Sequence, residues 1–273
     1  MKITEFPEIT SIENDNVFLV DGLNGTKKIK GENLPYAVMA ITGPEMHRNI
    51  FRGKNLGASL TARQKAAIYD GSFKDIWVGD YWEINDIKWR IVDIDYWYNC
   101  GNEAFTTHHV VVMPDIALYD AQMNTSDITT SGYVGSAMYT SHLGNAKTII
   151  SSAFGSDNIL IHKEYLVNAA TNGYPSGGAW LDSKVEIPSE IMMYGNSIFA
   201  SSGNTSTVTN RYTIDKSQLA LFKIHPKFII SETTYWLRDI AFSTSFAAVS
   251  NEGNSNCLPA SLTAGVRPIF AVG

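Results

Sequence analysis

Apolar and polar positions alternate in short, frequently broken runs between Ile76 and Met113. Ile76 and Val78 precede Gly79-Asp80, Tyr81-Trp82-Glu83-Ile84 runs into Asn85-Asp86, and Trp89 through Ile94 resumes the apolar pattern. Runs of this length, rich in aromatic and β-branched residues, predict strands, and the two-residue break predicts a hairpin about Asn85-Asp86. Thr106 to Met113 predicts another strand, closed by Pro114 because proline has no N–H to continue a ladder. Helical patterning occurs elsewhere. Over residues 60–70 Ser59 or Thr61 can cap a helix, Gln64 stands three residues beyond Thr61, and Gly71 can end it. From Ser136 to Phe154 the residues Met138, Leu143, Ala146, Ile149 and Ile150 recur at helical spacing, with Gly155 as a stop. A second helix is predicted over Ile161–Ala170, ending near Gly173 and Pro175. Glu186–Tyr194 reads as a short helix or strand, and Ser201–Asn210 as a loop.

The two ends of the chain have their own patterns. Val17, Leu19 and Val20 predict a short strand, followed by the turn pairs Asp21-Gly22 and Asn24-Gly25, then Lys27-Lys28-Ile29-Lys30 before Gly31 and Pro35. A segment this short cannot bury its own core. It either packs as a hairpin on its own body or folds against neighbouring subunits or a larger particle. Near the other end, Tyr235-Trp236-Leu237-Arg238-Asp239 is followed by Phe242, Phe246 and Val249, then by the polar run Asn251–Cys257, and finally by Gly265-Val266-Arg267-Pro268-Ile269-Phe270. Two apolar edges around a polar insert are how a rigid sheet holds a recognition loop. The expected organisation is an assembly or attachment segment at 1–40, a connecting helical region at 41–75 and a binding domain at 76–273.

Composition narrows the function. The chain has 273 residues, 44% hydrophobic and only 18% charged, so uncharged groups must cover much of its surface. Such surfaces meet sugars or proteins through hydrogen bonds and ring faces without desolvating full charges. The net charge is −6, from 21 basic and 27 acidic residues without a basic cluster, which argues against nucleic-acid backbone binding. No stretch approaches the roughly 20 apolar residues that cross a bilayer, and the opening MKITEFPEIT lacks the apolar core of a secretion signal. Cys100 and Cys257 are too few and too far apart for a zinc knuckle or a disulfide framework, and are expected as unpaired thiols.

The candidate chemistry is sparse. Adjacent strand residues point to opposite faces, so His108-His109 cannot converge on one ion. Asp93 and Asp95, two apart on a predicted strand, would share a face; paired carboxylates can hydrolyse glycosides where a cleft separates them suitably, and a polar strand edge is the plainer reading. No Gly-x-Ser-x-Gly elbow frames a serine. Tyr81, Trp82, Trp89, Tyr96, Trp97 and Tyr98 suit an irregular core, with Tyr96 and Trp97 forming a secondary ligand-binding candidate beside Cys100-Gly101-Asn102. The chain is therefore read as no enzyme, with no catalytic residue, metal or cofactor.

The segment from Tyr235 to Phe270 resembles the C-type-lectin-like ending shared by formylglycine-generating-enzyme-type folds, phage receptor-binding proteins and the variable proteins of diversity-generating retroelements. The resemblance extends over most of residues 76–273. Residues Val17–Leu34 are similar to the start of structural proteins from tailed phages or prophages of gut Gram-positive bacteria. The resemblance implies an α+β fold: a C-type-lectin-like body with mixed sheet and helices, preceded by the small N-terminal segment. It implies that Trp236, Arg238, Arg267 and Pro268 are structural anchors and that Phe242, Ser243, Ser245, Phe246, Ser250, Asn251, Glu252, Asn254, Asn256 and Leu258 are displayed for ligand binding. Formylglycine generation would need two reactive cysteines close in sequence, which Cys257 and the remote Cys100 do not supply. The tail also lacks the Glu-Pro-Asn or Gln-Pro-Asp triplet of calcium-dependent lectins, and no EF-hand loop occurs. The implied function is receptor binding by a tail or fibre protein of the virion, made in the host cytoplasm. Its implied partners are a bacterial surface glycan or protein and other phage structural proteins, without nucleic acid or membrane insertion. A virion decoration or assembly protein and a glycan-active or oxidative enzyme are the alternatives. The resemblance also implies a closed homo-oligomer, with a trimer favoured; native mass measurement over a concentration range is expected to show it, and a monomer throughout would overturn it.

Overall fold

The computed structural model describes residues 17–20, 27–30, 44–199 and 217–273, and the chain divides between His47 and Arg48 into two units. In the smaller unit β1 (Val17–Val20) pairs antiparallel with β2 (Lys27–Lys30), Val17 opposite Lys30 and Val20 opposite Lys27. The expected turn pairs, Gly31, Pro35, the expected boundary at residue 40 and the loop at Ser201–Asn210 lie outside the described residues. The division falls within the short helix α1 (Pro44–Asn49). Residues 48–75, expected as a connecting region, belong to the larger unit. Charge pairing is one reason: the Arg52 guanidinium lies 2.6 Å from the buried carboxylate of Asp80 and 2.5 Å from Asp75.

Capping residues set the next helix. α2 (Ala62–Tyr69) opens with a full capping box, Gln64 N–H donating to Thr61 Oγ1 and Thr61 N–H to Gln64 Oε1. Beyond it Ile76 and Val78 are buried in turns rather than in a strand. β3 (Tyr81–Ile84) and β4 (Ile87–Ile94) form the expected hairpin, with Asn85 and Asp86 at φ 54° and 61°, the left-handed pair that a two-residue hairpin turn requires. β5 (Val110–Pro114) begins later than the pattern suggests and ends at the proline. A π-helical turn (Met138–His142) leads into α3 (Leu143–Phe154), which Gly155 stops at φ 80°.

The predicted helix over Ile161–Ala170 is instead strand β7 (His162–Thr171), paired with β8 (Tyr174–Ser183). The reason is the identity of the buried face. His162, Glu164 and Leu166 are buried in strict alternation, and two of the three are ionisable, so the period of two is invisible to a hydrophobicity pattern. Asn172 and Gly173, at φ 52° and 82°, make the turn.

The remaining elements are β6 (Tyr119–Gln122), α4 (Glu190–Tyr194), α5 (Ala220–Ile224), β9 (Tyr235–Phe242), β10 (Ser245–Val249), β11 (Ser255–Pro259), β12 (Thr263–Val266) and β13 (Phe270–Val272). They complete a mixed α+β fold. One sheet has the order β13-β5-β4-β3 and another the order β11-β10-β9-β12-β6, while β7-β8 stands as a separate ribbon. α3 covers the four-stranded sheet, where Phe154 meets Trp82, Trp89 and Phe270 with ring centroids 5.4–5.6 Å apart. Because these rings share one packed junction, Phe154→Ala is expected to cost about 3–5 kcal/mol, checked by chemical denaturation.

Candidate functional site

The anchors implied by the tail are all interior. Trp236 is fully buried and donates from Nε1 to the carbonyl of Ala121 at 2.8 Å. Arg267 donates to the carbonyls of Pro114 and Phe228 and to Tyr235 Oη at 2.8–3.2 Å, while Pro268 beside it is buried. Arg238 is buried in an ion pair with Glu164.

The displayed set does not form one surface. Phe246 is completely enclosed and Ser245 is buried, because β10 lies between β9 and β11 and all five of its residues are buried. Leu258 packs against the core, and Asn256 turns its Oδ1 back to accept the N–H of Cys257 at 2.8 Å. The polar insert is a tight turn, Ser250 N–H donating to Asn254 carbonyl, followed by β11 on the sheet edge. Asn251, Glu252 and Asn254 are exposed on that turn. Phe242 and Ser243 lie beside the opposite end of β10, roughly 15–20 Å away at about 3.4 Å per residue. Tyr96 and Trp97 are also corrected from display to interior. Tyr96 donates its hydroxyl to Ser217 carbonyl, and Trp97 packs on His162 with centroids 3.9 Å apart.

At the Phe242 end, several turns meet. The tip of β7–β8 is pressed so closely to the β9–β10 turn that a Cβ on Gly173 would stand 2.5 Å from Ser243 N. Thr129 Oγ1 donates to Phe242 carbonyl, Ala260 N–H to Thr244 carbonyl, and Ser261 N–H to Asp127 Oδ1, at 2.9–3.1 Å. Between the ribbon tip and β9 lies a cavity of about 280 Å³ lined by Asn172, Gly173, Tyr174, Ile198, Phe199, Ala241 and Phe242. None of these side chains is charged. Among the described residues ten large hydrophobics are exposed, and five, Ile128 (50%), Tyr174 (61%), Ile198 (54%), Phe242 (54%) and Leu262 (47%), belong to this cavity and the turns around it. Apolar exposure gathered in one place marks a contact surface, whereas single exposed residues need no explanation.

Buried acid groups hold the walls. Glu190, wholly enclosed in α4, accepts the N–H groups of Ile198 and Phe199 and the hydroxyl of Ser255 at 2.8–3.0 Å. Ser189 caps α4 and brings Glu190 into its first turn. At the base of the ribbon, Glu164 receives Arg238 and His162, while Glu186 receives Tyr133 Oη at 2.7 Å and lies 3.0 Å from Ser183 Oγ. Burial raises Glu186 to about 7, with Glu164 adding to the shift. Burial also opposes ionisation of Glu164, but Arg238 and His162 outweigh it and hold that carboxyl at about 2. Tyr174, Ile198, Ile128, Leu262 and this acid cluster were missed in the sequence; only the Asn172-Gly173 turn pair signalled the ribbon.

The other candidates separate. Asp93 is buried against Arg48 at 2.5 Å and accepts Ala220 N–H, whereas Asp95 binds His108 Nδ1 at 2.7 Å. A bulge near Asp93 and the left-handed backbone of Asp95 (φ 53°) break the expected shared face. His109 is enclosed, and burial lowers it to about 3, while His108 is partly exposed and stacked on Tyr98. Cys100 and Cys257 are not joined by a disulfide, and Cys100 Sγ lies 3.7–3.8 Å from the carbonyls of Tyr98 and Tyr96. Among the described residues no three His, Cys, Asp or Glu side chains are grouped to hold a metal ion, and no helix is long and apolar enough to cross a membrane. Comparison with known proteins found no match among family models, curated proteins or solved structures.

The enclosed Glu190 carboxylate serves donors from two different segments. Glu190→Ala is expected to cost about 2 kcal/mol or more through those unpaired donors and to raise amide exchange at Ile198 and Phe199; denaturation and hydrogen exchange check the two effects.

Proposed function

We propose that this chain is a non-catalytic recognition protein of a phage or prophage tail, with its larger unit arranged as a C-type-lectin-like domain. It binds a bacterial surface glycan or protein through the Phe242 end of the five-stranded sheet. The tail and lectin-like parts of this reading rest on the resemblance of Val17–Leu34 and of Tyr235–Phe270. The interior placement of Trp236, Arg238, Arg267 and Pro268 supports it, since a rigid scaffold is what a displayed surface needs.

The observation that carries recognition is the gathering of Ile128, Tyr174, Ile198, Phe242 and Leu262 around an uncharged cavity. The rings of Tyr174 and Phe242, held at strand ends, lose little conformational freedom when a ligand covers them, so more of the burial energy appears as affinity. The separate partners of Asp93 and Asp95 weaken the glycan-hydrolysis alternative.

Host-cell binding and glycan arrays test the assignment. Phe242→Ala and Tyr174→Ala are expected to lose more than about 2 kcal/mol of affinity each as central contacts, with melting temperatures close to the parent. Asn251→Ala and Asn254→Ala are expected to bind normally. The opposite pattern would move recognition to the Ser250–Asn254 turn, and absence of the native protein from purified virions would sink the tail assignment.

A further inference from the structure

We propose that the β7–β8 ribbon is held at its base by a proton-dependent clamp, in which ionisation of Glu186 beside Glu164 releases the ribbon and with it one wall of the Phe242 cavity. The clamp stands on its own geometry; its effect on ligand binding rests on the recognition reading above.

Six interior side chains form the clamp: His162 and Glu164 on β7, Ser183 on β8, Glu186 just beyond it, Arg238 on β9 and Tyr133 from the turn before the π-helical segment. All are at most 7% exposed. Among the described residues, the charged and titratable groups that act on Glu186 are Glu164, Arg238 and Tyr133 of this set, and Tyr139 of the π-helical turn, whose ring lies 5.3 Å from that of Tyr133. The Arg238 guanidinium and the His162 ring both contact Glu164, whereas the contacts of Glu186 are the hydroxyls of Tyr133 and Ser183.

The hydrogen-bond count shows where a proton belongs. Ser183 Oγ lies 3.3 Å from Glu164 Oε1 and 3.0 Å from Glu186 Oε1, yet a hydroxyl has one hydrogen. With both carboxyls ionised, two anions compete for it. With a proton on Glu186 Oε1, that group donates to Ser183 Oγ and Ser183 donates to Glu164 Oε1, while Tyr133 continues to donate to Glu186 Oε2. Each contact from Tyr133 through Glu186 and Ser183 to Glu164 then has one hydrogen, while His162 Nδ1 has no hydrogen-bond partner among the described residues. With both carboxyls ionised, Glu186 would hold a buried negative charge against hydroxyl groups and beside the Glu164 carboxylate, which is costly.

The ribbon is the part that yields. Among the described residues it pairs with no other strand, and two-stranded ribbons are marginal by themselves. Two backbone bonds, Val134 N–H to Val167 carbonyl and Ala170 N–H to Thr130 carbonyl, and the contact of its Gly173 tip with the β9–β10 turn supplement the clamp. The titration of Glu186 near 7 places release close to neutrality. Its carboxyl is raised from 4.5, so its stabilising contribution is complete below about 4.5 and is lost as pH rises through about 7. Glu164 is lowered to about 2, and its contribution disappears as pH falls from 4.5 toward that value.

Hydrogen exchange of the full chain from pH 5 to 9, corrected for intrinsic rates, tests the clamp. Protection of the β7–β8 amides is expected to fall by up to about tenfold per pH unit as pH rises toward 7 and to level off above it, while β4 and β5 keep theirs. Glu186→Gln is expected to remove the transition. Should that variant fail to fold, Tyr133→Phe takes a donor from the ionised carboxyl and is expected to move the midpoint upward. Unchanged ribbon protection through pH 9, or an unmoved midpoint in both variants, overturns the proposal. Host-cell binding over the same range reads the other premise: constant binding while the ribbon releases overturns the link to the Phe242 cavity and leaves the clamp standing.

Discussion

The enclosed guanidinium of Arg267 ties the two main sheets together, and the placement of everything near β9 depends on that tie. It donates from Nε to Pro114 carbonyl at the end of β5 and from Nη1 to Tyr235 Oη at the start of β9, 2.8 and 3.2 Å away. The Tyr235 hydroxyl in turn donates to Ile229 carbonyl at 2.7 Å. Among the described residues no carboxylate pairs with this cation; carbonyl dipoles and the Tyr235 ring, 5.2 Å from the guanidinium carbon, surround it instead. A lysine could not reproduce such forked donation. With β9 fixed at Tyr235, Trp236 and Arg238 follow along the strand into their own buried bonds, and Phe242 emerges at the far end.

That geometry decides what the tail can present. β10 and β11 continue from β9 as an antiparallel meander, and the last three residues of the polar insert, Ser255–Cys257, are part of the edge strand. The edge is poorly suited to accept a further strand: the Cys257 N–H is taken by the Asn256 side chain and Pro259 has none. Contact is left to the strand ends. Of the two ends, the Phe242 side has exposed apolar groups gathered around a cavity, while the Asn251–Asn254 side is a polar turn bonded largely to itself.

The ribbon joins this surface to the interior. Its tip contributes Asn172, Gly173 and Tyr174 to the cavity, and its base contributes His162, Glu164 and Ser183 to the acid cluster. A side chain at the base can therefore bias a wall at the tip through a single two-stranded element, without a longer chain of contacts. Glu190 does the same for the facing wall by holding Ile198 and Phe199 from beneath.

The sequence by itself determined the features encoded by neighbouring residues. Asn85-Asp86 specified a hairpin, Thr61 with Gln64 specified a helix start, Gly155 specified a helix end, and the aromatic density around Trp82 and Trp89 specified core. Each depends on backbone preference or local hydrogen bonding within a few residues. Folding placed Phe246 inside a strand that is buried along its whole length and left Phe242 exposed at the end of β9, although both are aromatic residues in one hairpin. It also decided the fate of residues 162–166, where His162 and Glu164 are buried because Arg238, 74 residues after Glu164, supplies the compensating charge. Local pattern cannot reveal a partner brought in by folding, and the free energy of a buried charge depends on that partner.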